Sequence, residues 1–290
     1  MGIKMDKDFY LQGTDKEKEH FSGNRGVSFE WNIIYKCNYR CSYCIFEGKW
    51  DEYGPRTVFK SVEELMEIWD RIYDLYGKCS IVFTGGEPTI YPNFFEFVSK
   101  LSHKHYPINI SSNGSGDLKK MVELCDNKKV SMSISFHTQF DTAEDVIKRA
   151  KYLKENGFLA EFVNYCCWPP TIPKLMEYVK MFKDEGLVIK AIPFCGQYNG
   201  KNYPDSYTKE EKEILGINEV WESNVKRKGT LCAAGQKSAL IFPDGKVARC
   251  GQIGERILVG NIFDKNFKLL DKPQECDVDM CPCLKAVEVE

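Results

Sequence analysis

Two hydrophobic rhythms take turns along the chain between residues 27 and 195. Over 61–77 (SVEELMEIWDRIYDLYG) apolar residues fall at 62, 65, 66, 69, 72, 73 and 76. That spacing predicts a helix with one buried face, stopped by Gly77. Helices are also expected over 92–103, with Pro92 in its first turn, over 117–127, over 141–157 and over 172–186. The 141–157 helix opens on Asp141 as a cap and closes on Gly157. Short apolar runs at 28–35, 80–84, 107–113, 130–137, 158–166 and 188–194 read as strands. Strict alternation of strand and helix implies parallel strands joined by right-handed crossovers. Six units are fewer than the eight of a full barrel, so the expected fold is α/β, a partial (β/α)6 barrel. In such folds the chemistry lies at the C-terminal ends of the strands. The segments 36–44, 84–88, 111–114, 135–137, 164–168 and 194–200 all fall there.

After residue 200 the rhythm changes. SALIFPDGKVARC (238–250) reads as a β-hairpin around Pro243-Asp244-Gly245, and 257–264 as a further strand. The expected organisation is a polar segment over 1–26, the barrel over 27–205, and a small hairpin-containing extension over 206–290.

Composition narrows the setting. Hydrophobic residues are 43% and charged residues 28% of the 290, ordinary for a soluble globular protein. A formal net charge of −2 excludes a nucleic-acid partner held by bulk electrostatics. There is no apolar run of membrane-spanning length and no N-terminal apolar signal, so the expected location is the cytoplasm. In a reducing compartment, 13 cysteines clustered towards both ends of the chain point to metal rather than to disulfides.

The first cluster is Cys37, Cys41 and Cys44, spaced C-x3-C-x2-C. A structural zinc site wants four ligands. Three close thiolates instead suit a [4Fe–4S] cube, holding three irons and leaving the fourth open. With Gly85-Gly86-Glu87-Pro88 after the second strand, the pattern resembles the radical S-adenosylmethionine (radical SAM) superfamily over about residues 27–200. The resemblance implies that the open iron binds the amino and carboxylate groups of SAM. One electron, from a donor such as flavodoxin or ferredoxin, then releases a 5′-deoxyadenosyl radical that abstracts hydrogen from substrate. It also implies roles by motif. Gly85 and Gly86 would let the backbone approach the methionyl group, Glu87 would meet its ammonium, and Pro88 completes the motif. Ser112 and Asn113 match the family's T-N-G segment. Ser133 matches a ribose or carboxylate contact, and Tyr43 a neighbour of adenine.

Further on, Cys232, Gly245 and Cys250 form C-x12-G-x4-C, and 259–264 reads VGNIFD. These resemble the opening of SPASM and Twitch extensions, which implies one auxiliary [4Fe–4S] cluster on four thiolates. Cys232 and Cys250 would be joined by Cys281 and Cys283, with Cys276 as the rival, because the closing C-x4-C-x-C departs from the usual C-x2-C. A zinc ribbon on the same cysteines is the alternative.

Cys195, after the sixth strand, is a candidate hydrogen-atom donor or a packing residue; Cys166 raises the same question. His137 sits at a strand end. Lys190 either anchors substrate from the barrel interior or points outward between helices. Because 26 residues precede the first strand, where peptide-modifying relatives often carry a leader-binding domain, the expected substrate is small, polar and sugar-like, oxidised or epimerised. A peptide maturase is the alternative within the family. Outside it stand a zinc-binding structural module and an iron–sulfur electron carrier.

Overall fold

The computed structural model describes residues 26–46, 48–160, 162–215, 225–226 and 228–281, with backbone alone at 225–226 and 280–281. All six expected barrel strands form. They are β1 (Ser28–Ile34), β2 (Ser80–Gly85), β3 (Ile108–Ser112), β4 (Val130–Phe136), β5 (Phe162–Cys167) and β6 (Val188–Pro193). They lie parallel and in chain order. The crossovers carry α1 (Val62–Tyr76), α2 (Phe94–Leu101), α3 (Leu118–Leu124), α4 (Ala143–Glu155) and α5 (Leu175–Asp184).

Strand parity sorts the two faces of the sheet. Phe29 and Trp31 of β1 and Phe83 of β2 face the helices, where Trp31 packs on Trp69 of α1 and edge-on to Phe97 of α2. The other parity carries polar residues inward: Glu30 and Asn32 on β1, Asn109 and Ser111 on β3, Ser131, Ser133 and Ser135 on β4, and Asn164 on β5. A capping box starts α1. The Ser61 hydroxyl accepts from the Glu64 amide at 3.2 Å, and the Ser61 amide donates to the Glu64 carboxylate at 2.8 Å. The cap of α4 differs from expectation. Thr142, not Asp141, accepts from the Asp145 amide, and the Asp141 carboxylate is committed elsewhere.

Beyond β6 come a short hairpin of β7 (Gly196–Tyr198) and β8 (Lys201–Tyr203), then α6 (Lys209–Leu215), β9 (Val225–Lys226) and β10 (Leu231–Cys232). The expected hairpin forms as β11 (Ser238–Ile241) and β12 (Lys246–Ala248), followed by β13 (Leu258–Asn261), β14 (Gln274–Glu275) and β15 (Met280–Cys281). The change of rhythm near 205 is not a break in the sheet. β11 lies parallel to β1, from Ser28 opposite Ser238 to Trp31 opposite Ile241. One nine-stranded sheet results, ordered β13-β12-β11-β1-β2-β3-β4-β5-β6. Among the described residues no helix is long and apolar enough to cross a membrane.

Candidate active site

The Gly-Gly turn sits against the tail of β1. The Gly86 amide donates to the Ile34 carbonyl at 2.7 Å and the Glu87 amide to the Lys36 carbonyl at 3.0 Å. A β-carbon at Gly86 would overlap the carbonyl oxygens of Tyr35 and Lys36. At Gly85, whose φ is +127°, it would overlap that of Ile34. Only glycine lets these backbones meet. Both glycines thus serve a close approach to the end of β1.

Glu87, 1% exposed, is thereby held beneath the cysteine loop. One of its oxygens accepts from the Thr89 amide (3.0 Å), the Thr89 hydroxyl (2.5 Å) and the Ser112 hydroxyl (2.7 Å). The other accepts from the Asn113 amide at 2.8 Å. Glu87, Ser112 and Asn113, inferred separately, thus form one network joining the ends of β2 and β3.

The cysteine loop is laced to the ends of β3 and β4. Asn38 donates to Ser115 at 2.8 Å and accepts from the Asn113 side chain at 3.0 Å. The Gln139 amide exchanges bonds with the Ser42 backbone and hydroxyl at 2.9 and 2.6 Å. Tyr43 and His137 meet at 2.9 Å between hydroxyl and Nδ1. The Tyr39 hydroxyl donates to Asp141 at 2.8 Å, and Arg149 donates to the same oxygen at 2.6 Å. Asp141 escaped the sequence reading because an Asp ahead of a helix looks like a cap.

Together these elements enclose a cleft of about 250 Å³. Cys37, Cys41, Cys44, Tyr43, Gly85, Gly86, Glu87, Ser112 and Asn113 all line it, along with Ser135, His137 and Cys166. Burial pushes the Cys41 thiol up to about 12, with the charges of Cys44 and Cys37 adding to the rise. Burial raises Cys37 as well, and it lowers His137 into its neutral form. Among the described residues no three Cys, His, Asp or Glu side chains converge tightly enough to hold one metal ion. The three cysteines line one cleft, a donor set that fits a multi-iron cluster with one thiolate per iron.

Residues 31–169 match the model of the Radical SAM superfamily. They are a radical SAM domain. The chain is 21% identical over 264 residues to the antilisterial bacteriocin subtilosin biosynthesis protein AlbA of Bacillus subtilis, covering 82% of this chain and 58% of that one. It thus spans little more than half of AlbA. The structure of native anSMEcpe with bound AdoMet superposes with a TM-score of 0.59 at 21% identity, covering 82% of this chain and 78% of that one. Streptococcus suis SuiB bound to precursor peptide SuiA gives 0.58 at 16% identity, over 83% and 63%. Both likenesses establish the fold.

Three expected positions in and beside the radical SAM domain shift. Ser133 does not line the cleft; it exchanges hydrogen bonds with Asn109 at 3.1 and 3.2 Å. Ser135, two residues nearer the strand end on the same face, lines it instead. Pro88 is buried at the start of a 3-10 turn (Pro88–Ile90), outside the lining. Cys195 is exposed and also outside it, whereas Cys166 faces the three thiols. Burial, and then the charges of Cys195 and Cys41, push Cys166 up to about 12, so it stays a thiol.

The second cysteine group gathers beside the hairpin. Cys232 pairs with Gln274, which brings Cys276 alongside, and the Cys276 amide donates to the Thr230 carbonyl at 2.9 Å. Burial raises the Cys250 thiol, amides of Ile253 and Gln252 oppose the rise, and the charges of Cys232 and Cys276 add to it. Cys276, the rival in the sequence reading, thus lies near Cys232 and Cys250. Only the backbone of Cys281 is described, and Cys283 lies outside the described residues. Arg249, 3% exposed, clips this region together. It donates to the carbonyls of Ala234 (2.9 Å), Cys232 (3.1 Å), Glu275 (2.5 Å) and Gln274.

Proposed function

We propose that this protein is a radical SAM enzyme that modifies a peptide and carries one auxiliary [4Fe–4S] cluster. The observation that carries the reading is the single cleft at the C-terminal strand ends, lined by Cys37, Cys41, Cys44, the Gly85-Gly86 turn and Glu87. The three cysteines would hold the first cluster. Glu87, Ser112, Asn113 and Ser135 would bind SAM, with Tyr43 beside its adenine. When bound and reduced by a flavodoxin- or ferredoxin-like donor, that cluster supplies the electron that cleaves SAM to a 5′-deoxyadenosyl radical.

The chain's own contribution is orientation and shielding. The bonds from Asn38, Tyr39, Ser42 and Tyr43 to the β3 and β4 ends hold the cysteine loop over the cleft. The hydrogen-donor role expected of Cys195 falls to Cys166, which burial keeps protonated within the cleft. Cys232, Cys250 and Cys276, with Cys281 or Cys283 as the fourth ligand, would hold the auxiliary cluster.

A peptide replaces the sugar-like substrate expected from the sequence because the similar proteins point to one. AlbA is a bacteriocin biosynthesis protein, and SuiB was solved with a precursor peptide. The test is anaerobic reconstitution of wild type and a C37A/C41A/C44A variant, with iron and sulfide counted and 5′-deoxyadenosine assayed after dithionite. About eight irons are expected in wild type and about four in the variant, with nucleoside from wild type alone. Zinc in place of iron, or no nucleoside from fully loaded wild type, refutes the reading.

A further inference from the structure

The inner face of the barrel carries two donors, Asn164 and Lys190, that the proposed SAM site does not use. Ile189 and Ala191 of β6 are buried, 1% and 6% exposed, on the helix side of the sheet. Lys190 between them therefore faces inward, half-buried, which decides between the two orientations its sequence left open. Strand register places it opposite Asn164, and Asn164 opposite Ser135. Ser135 and Cys166, on the same face, line the cleft.

No hydrogen bond or ion pair joins the side chains of Ser135, Asn164 or Lys190 to any described residue. Among the described strand residues the acid on this face is Glu30, and it is no partner for Lys190. It aligns through Val82 and Asn109 with Ser131, four residues behind Ser135 along the strands. An ammonium and an amide side by side, sheltered and without an acceptor, form a receptor for a carboxylate. Neither Asn164 nor Lys190 lines the cleft assigned to SAM. Four strand spacings of about 4.8 Å, roughly 19 Å along the sheet, separate β6 from the Gly-Gly-Glu turn on β2.

We propose that Lys190 and Asn164 form a carboxylate subsite that selects a peptide with an acidic side chain close to the reacting residue. The inference rests on the peptide-modifying reading above and names the chemistry of its substrate. Lys190 supplies charge and Asn164 a second donor, so a carboxylate entering the barrel mouth is bound across the two strands.

Three pentapeptides with acetylated N-termini test it by calorimetry on the anaerobically reconstituted, SAM-loaded protein. They are Gly-Gly-Glu-Gly-Gly amide, Gly-Gly-Gln-Gly-Gly amide, and the glutamine peptide with a free C-terminal acid. Wild type is expected to bind the glutamate peptide about tenfold more tightly than the glutamine amide. K190Q should erase that preference, K190R should keep most of it, and K190E should reverse it. If the free-acid glutamine peptide binds as tightly as the glutamate peptide, and K190Q abolishes this, the subsite stands and its carboxylate is the chain end. Equal binding of all three peptides by wild type, or a preference that survives K190Q, overturns the subsite and leaves the peptide reading intact. Failure of every peptide to bind overturns both. A K190Q protein that has lost SAM affinity would reassign the two donors to the cofactor and overturn the inference.

Discussion

Replacing Asp141 with asparagine removes a charge from the point where the cysteine loop is tied to the barrel and changes little in shape. The Asp141 side chain is 1% exposed, and one of its oxygens takes both the Tyr39 hydroxyl and the Arg149 guanidinium. The other oxygen has no hydrogen-bond partner among the described residues. Each bond to a charged group contributes about 1.5–3 kcal/mol. Arg149 is a quarter exposed, so solvent screens its share. An asparagine oxygen keeps one acceptor but leaves the guanidinium without a counter-charge. The expected loss for D141N is about 2–3 kcal/mol. The assay is equilibrium guanidinium unfolding of the cluster-free chain under reducing conditions, for wild type, D141N, Y39F and the double variant. Tyr39 and Asp141 should couple by about 1 kcal/mol, beyond the scatter of independent sites. Iron at Cys37, Cys41 and Cys44 should fall in D141N, while that of the second cysteine group is retained. A D141N protein within about 0.5 kcal/mol of wild type, or strict additivity with Y39F, would refute the idea that this carboxylate holds the loop.

Three further outcomes follow from the same structure. G86A forces a methyl group against the carbonyls of Tyr35 and Lys36, and should cost about 1–3 kcal/mol or more in unfolding free energy; a wild-type midpoint would mean the turn does not sit on β1. R249M strips four carbonyls of their donor and should destabilise the β10–β14 region by about 3 kcal/mol, seen as faster amide exchange over 231–276 and loss of iron from the second cysteine group only. His105 is fully buried, accepts the Cys79 amide at Nδ1 and donates from Nε2 to the Trp69 carbonyl, and its pKa is lowered by burial. The unfolded chain therefore binds a proton first as pH falls, so stability present above about pH 6.5 should decline below it, and H105Q should flatten that slope in unfolding midpoints measured from pH 7.5 to 5.

Much of the barrel was legible one-dimensionally. The 3.6-residue spacing from Val62 to Tyr76 and the turn at Pro243-Asp244-Gly245 depend on neighbours a few residues away, and both formed. The three-cysteine cluster and the Gly-Gly-Glu turn are also short contiguous stretches, and their roles were implied by resemblance to the radical SAM family.

Contacts across a hundred residues or more have no such signature. Nothing near Ser238 announces that β11 will lie against Ser28–Trp31. An Asp before a helix looks alike whether it caps that helix or, as Asp141 does, bonds Tyr39 from the cysteine loop. A period of two divides β4, β5 and β6 into two faces but does not say which face is inside, or how far along a strand the cleft reaches. Helix packing made the first choice, burying Ile189 and Ala191 and turning Lys190 inward. Strand register made the second, bringing Ser135 and Cys166 to the cleft in place of Ser133 and Cys195. The local chain thus determined which elements form and where the reactive residues cluster. The packed sheet decided which of those side chains meet, because faces and depths exist only once the strands are paired and one side is covered.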